Sequence, residues 1–122
     1  MNIQEKIALC KLLMDLAAID GMPNDNELMY IFQLGNKLAI SQTEWQQLKS
    51  ISAESALSII KSFDDSTKMK LPFMIYHLIN SDNPANSQEI RGFELIMNAI
   101  GVPCSYNSFH AMIEGADAES PR

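Results

Sequence analysis

Two stretches of this chain carry carboxylates at matched spacing. LAAIDGMPNDNE places Asp20, Asn24 and Glu27, and LINSDNPANSQE places Asp82, Asn86 and Glu89 in the same register. Paired carboxylates can work as general acid and base when they converge in a cleft, so one reading is an enzyme built on these four acids. That reading requires the two stretches to meet. A second reading is local. Asn-x-x-Glu fits the capping-box pattern with Asn in place of Ser or Thr: the Asn side chain accepts a first-turn N–H, and the Glu reaches back to the N-cap N–H. Asp20 and Asp82, just upstream, suit Asx-turns that accept loop amide hydrogens. Such caps contribute roughly 1 kcal/mol per helix, which is reason enough for the residues to recur.

Other reactive side chains form no constellation. His77 and His110 lack a ligating partner one helical turn away, and no HExxH or Cys/His run occurs. Cys104 and His110 could serve as nucleophile and base, but no orienting third residue or oxyanion loop accompanies them. The five glycines are scattered, so there is no phosphate-cradling loop. Cys10 and Cys104 stand in apolar contexts and read as two reduced, buried thiols, with a disulfide between them the alternative. Met14, Met22, Met29, Met69 and Met74 read as core filling in preference to a promiscuous groove. Trp45 with Leu48 is the best candidate for an exposed partner-binding patch, against burial on the bundle.

The elements that must position the carboxylates are helices. Residues 3–19 are apolar over most of their circumference, as expected of a central helix. Residues 25–39 carry a narrower stripe (Leu28, Ile31, Phe32, Gly35, Leu38) that suits a peripheral helix. Ser41-Gln-Thr-Glu44 is a capping box opening a helix over 42–51 with Trp45 and Leu48 inward. Further helices are expected over 53–63, over 66–80 after an Asp64 or Asp65 cap, over 87–100, and over 106–114 after Ser105. Pro72 within the fifth removes a hydrogen bond and predicts a kink or a late start. No stretch alternates with period two, so the fold class is all-α.

A shift of 62 positions superposes the two halves. Leu16, Asp20, Asn24, Glu27 and Asn36 meet identical residues at 78, 82, 86, 89 and 98. Apolar positions coincide as well, among them Leu28 with Ile90, Ile31 with Phe93 and Leu38 with Ile100. The expectation is two similar helical hairpins related by a pseudo-twofold, their apolar first helices packed together.

The segment Ala17-Ala18-Ile19-Asp20-Gly21…Glu27, with its weaker copy Asn80-Ser81-Asp82-Asn83…Glu89, resembles the hallmark of the TerB-like family. That family comprises tellurite-resistance and stress proteins and the N-terminal helical domain of some membrane-anchored J-domain co-chaperones. The resemblance spans about residues 3 to 114. Asn83 stands for the second glycine, and Pro23 and Ala85 replace aliphatic residues. The resemblance implies a cluster of surface acids that binds a divalent metal such as Ca²⁺, here Asp20, Glu27, Asp82 and Glu89. Two repeated carboxylates per loop are few for a hard cation, so carbonyls, Asn24 or Asn86 and water would complete the shell. An EF-hand is excluded, because the sixth and twelfth positions from Asp20 are Asp25 and Ile31.

Composition sets the outer bounds. The 122 residues are 47% apolar, which suits one globular domain over 1–114 with a flexible tail over 115–122. Fifteen acidic against nine basic residues give a net charge of −6, which opposes nucleic-acid binding. No stretch approaches the roughly 18 apolar residues of a membrane span, and Met1 to Glu5 do not form a basic leader, so a cytoplasmic location is expected. The function that the TerB-like resemblance implies is a non-enzymatic stress-response interaction or sensing module with protein partners, with homo-oligomerisation and metal binding through the duplicated loops left open. The alternatives are a metal- or carboxylate-dependent enzyme and a purely structural helical adaptor.

Overall fold

Side chains start most of the helices. In the computed structural model, which describes residues 1–81, 84–102 and 104–119, the described residues form α1 (Ile3–Ala17), α2 (Asp25–Lys37), α3 (Gln42–Gln47), α4 (Ala53–Lys61), α5 (Asp65–Ile79), α6 (Ser87–Ala99) and α7 (Tyr106–Glu119). Asn2, Asn24, Ser41 and Asn86 each close a reciprocal capping box with the Glu three residues on. Ser52 and Asp64 cap α4 and α5 from the side chain alone. Ser105 Oγ accepts from the Ser108 N–H at the start of α7. These bonds satisfy donors that a helix N-terminus otherwise leaves to water. The fold is all-α, as the periodicity requires.

The internal repeat is structural. Shifting α1 by 62 positions reproduces both bounds of α5, and shifting α2 reproduces both bounds of α6. Their exits match too. After α2, the Ala39 N–H donates to the Asn36 carbonyl and the Ile40 N–H to Gly35. After α6, the Gly101 N–H donates to Asn98 and the Val102 N–H to Met97. Both are Schellman closures, which need a left-handed residue at the turn. Gly101 takes it at φ 80°, and Ala39 takes it at φ 57°.

Helix α1 is the centre of the molecule and packs against α2, α3, α4, α5 and α6. Its Ala8, Leu9, Leu13 and Ala17 meet Ile31 of α2, Ile60 of α4, Leu71, Ile75 and Leu78 of α5, and Phe93 and Met97 of α6 in one core. Helix α7 is tied on by aromatic and polar contacts. Phe109 meets Phe73 edge-on, Tyr106 meets Phe93, and the Tyr76 hydroxyl lies 2.7 Å from His110 Nδ1. No helix among the described residues is long and apolar enough to cross a membrane.

Several expectations are corrected. Helix α5 starts at Asp65 with Pro72 well inside it, so the proline does not delay the start. Helix α3 ends at Gln47, before the expected 51, and α4 ends at Lys61. Helix α7 continues to Glu119 through part of the segment read as a tail. Met22, Met29 and Met69 are exposed, Met22 by 90%, so of the five methionines only Met14 and Met74 pack on the core. Phe32 was placed on the inward stripe and is 48% exposed. Both cysteines are free. Cys10 is buried, and burial pushes its thiol up to about 12, whereas Cys104 is only half-buried.

The unequal Schellman residues give a direct test. An L-residue in the left-handed region costs about 1–2 kcal/mol, offset in part by glycine's greater unfolded-chain freedom. Ala39→Gly should therefore stabilise the protein by about 0.5–1 kcal/mol, and Gly101→Ala should destabilise it by a similar amount. Urea unfolding midpoints at constant m-value measure both.

Candidate functional site

The repeat brings the two acidic loops to one place. The first turns of α2 and α6 line a single polar pocket of about 250 Å³ with Asp20, Asn24, Glu27, Asn86 and Glu89 on its walls and Ile79 and Pro84 beside them. Of the four acids singled out from the sequence, Asp20, Glu27 and Glu89 meet here. Asp82 lies outside the described residues.

Each glutamate first serves its own helix. The Asn24 N–H donates to Glu27 Oε1 at 3.0 Å, and the Glu27 N–H donates to Asn24 Oδ1 at 2.8 Å. The Asn86 N–H donates to Glu89 Oε1 at 3.1 Å, and the Glu89 N–H to Asn86 Oδ1 at 2.9 Å. The capping reading is correct for both loops. Its setting is not the surface: Glu27 is 4% exposed and Glu89 7%. These are the buried charged residues of the core.

Beyond the caps, the halves touch. The Glu89 carboxyl hydrogen-bonds to that of Glu27. Asn86 Nδ2 donates to Asp20 Oδ2 at 2.5 Å, so Asp20 is held across the hairpins in place of the expected Asx-turn within its own loop. Burial raises the Glu89 carboxyl from its ordinary 4.5 to about 7; the Asn86 N–H opposes this, while the hydrogen bond to Glu27 and the charges of Glu27 and Asp20 add to it. A second negative charge beside Glu27 and Asp20 is costly, so Glu89 keeps its proton well above the ordinary carboxylate range. The positive ends of α2 and α6 face the same pocket and favour the remaining charge.

What this set can hold follows from its lone pairs. Three carboxylates in one pocket are the right donor chemistry for a hard cation. The amide oxygens of Asn24 and Asn86, however, are committed to caps, one oxygen of each glutamate likewise, and Asp20 accepts from Asn86. Among the described residues no three His, Cys, Asp or Glu side chains stand in metal-holding geometry. A cation therefore has to displace the Glu89 proton and compete with the caps for the remaining oxygens. The convergence that acid–base catalysis requires is present, yet the described lining adds no nucleophile or cationic side chain.

The sequence held a signal for the burial that went unused. Glu27 lies four residues before Ile31 and eight before Gly35, all buried on one stripe, and Glu89 precedes Phe93 and Met97 in the same phase. An acid in register with the apolar stripe points inward. The Asp20–Asn86 bond had no such local signal.

No protein-family model matches the chain, and no curated protein does. Among solved structures, the chain is similar to the crystal structure of a protein of unknown function from Porphyromonas gingivalis, with 22% identity and a TM-score of 0.69. The match covers 85% of this chain and 87% of that one. It shows a shared fold.

A raised folded-state value means that the folded protein binds this proton more tightly than the unfolded chain. The contribution of Glu89 is thus fully present below the ordinary carboxylate range and is lost as pH rises through about 7. Urea unfolding should show stability falling between about pH 5 and pH 8. Glu89→Gln, which stays neutral and keeps an acceptor for the cap, should flatten that slope and be the more stable protein at pH 8 by about 1–2 kcal/mol.

Proposed function

We propose that this chain is a non-enzymatic interaction or sensing module of the TerB-like kind, acting in a cytoplasmic stress response of the tellurite-resistance type, with the acidic pocket as its sensing element. The observation that carries the reading is the meeting of Glu27, Glu89 and Asp20 from the two loops in one pocket. The loops that bear the TerB-like resemblance are the loops that build it. Asp20, Glu27 and Glu89 are the residues that would hold a divalent cation, in exchange for the proton on Glu89. The cation would supply the positive charge that the three acids lack. The competing reading is a structural adaptor, supported by the commitment of both glutamates to caps.

Isothermal titration of Ca²⁺, Mg²⁺, Mn²⁺ and Zn²⁺ into metal-free protein separates the two. A sensing pocket gives binding that is tighter at about pH 8 than at about pH 6, with proton release, because metal and proton compete. Asp20→Ala should weaken it by roughly tenfold, about 1.4 kcal/mol. Heats no larger than dilution for all four ions at both pH values would leave the acids as caps alone.

A further inference from the structure

A second cavity shares no lining residue with the acidic pocket and is of opposite character. It measures about 440 Å³ and lies between α1, α2 and α3, with Met14, Ala18, Pro23, Phe32, Trp45 and Leu48 as its apolar walls. We propose that this groove docks a partner peptide segment that carries apolar side chains beside an acidic residue.

The apolar half of the argument is the aromatic pair. Phe32 stands half in water although its neighbour Ile31 is fully buried. It meets Trp45 edge-to-face, centroids 5.3 Å apart at 78°. The pair is fixed from behind by Gly35, where any Cβ would run into the indole of Trp45. A glycine inside a helix costs roughly 0.5–1 kcal/mol relative to alanine, and here it seats a ring at the groove in return. Met29, three residues before Phe32 on α2, is also exposed and can adapt to an apolar guest. Rigid aromatics in a concave, mostly apolar site are the usual anchors of recognition.

The polar half is the charge. Lys11 and Asp15 close on each other at 3.1 Å and leave no net charge on the α1 wall. Lys49, on the opposite wall, has no carboxylate at ion-pair distance among the described residues. A molecule of net charge −6 thus turns an unpaired cation toward a mostly apolar groove. A purely apolar guest would strip water from Lys49 without replacement, and a basic one would be repelled by it. An acidic residue flanked by apolar ones satisfies both walls.

Trp45 is the chain's one tryptophan, so its fluorescence reports on this groove. The test selects short random peptides displayed on phage against the full-length chain, then titrates the synthetic winners while following Trp45. Enriched peptides should pair aromatic or aliphatic residues with Asp or Glu and shift the Trp45 emission saturably. Amidating their acid, or Lys49→Glu in the protein, should each weaken binding by roughly tenfold, while Lys49→Glu leaves the unfolding midpoint unchanged. Phe32→Ala should weaken the same peptides. Failure to enrich any peptide, winners without an acid, or binding indifferent to Lys49→Glu would overturn the proposal. A Trp45 signal that depends only on protein concentration would overturn it in favour of a second copy as occupant.

Discussion

Two glutamates facing each other in the interior constrain this molecule more than any other contact. Glu27 and Glu89 are each indispensable to a helix start, and the repeat points both helix starts at the same spot. Burial makes a second negative charge there expensive, and Asp20 at the pocket wall makes it more so. Two opposing features reduce the cost: the positive ends of α2 and α6, and the raised proton affinity of Glu89. Removing either glutamate would relieve the repulsion but take away the acceptor of its N-cap N–H. Cap and pair use the same side chains, so neither can be tuned alone.

From that meeting point the rest of the architecture is largely duplication. Helices α1 and α5 fill the middle, and α2 and α6 flank them with matching caps and matching Schellman exits. Departures from the repeat are where the halves differ in use. After α2 the chain forms short α3, which delivers Trp45 to a groove over Gly35. After α6 it forms the longer α7, which buries Tyr106 and Phe109 against α5 and α6. The first half therefore keeps an open aromatic face, and the second closes its own.

Much of the fold was readable because it is written at short range. Caps are three-residue patterns, and central against peripheral helices differ in how far around the apolar stripe extends, so α1, α2, α5 and α6 came out close to their true bounds. The repeat was readable because register and loop length agreed. Three features escaped for physical reasons. Phe32 adjoins the stripe of α2, and over so short a helix the phase is too loose to decide whether a flank faces core or solvent. The methionines are apolar but flexible, so composition placed them inside where packing did not need them. The Asp20–Asn86 bond joins residues 66 positions apart, and no local period encodes such a pairing. At the site, three of the expected acids were found together, while their burial and mutual hydrogen bond emerged only from the packing of one hairpin on the other.

The account turns on the Glu89 carboxyl, buried beside Glu27 and held well above the ordinary carboxylate range, and carboxyl chemical shifts observe it directly. Following the side-chain ¹³C carboxyl resonances of both glutamates by NMR across the acid-to-neutral range should show Glu89 titrating at about 7. Its curve should move toward the ordinary range in Glu27→Gln, because the Glu27 charge is one of the causes that raise it. Independent titration of both carboxyls in the ordinary glutamate range, indifferent to substitution of the other, would contradict the account.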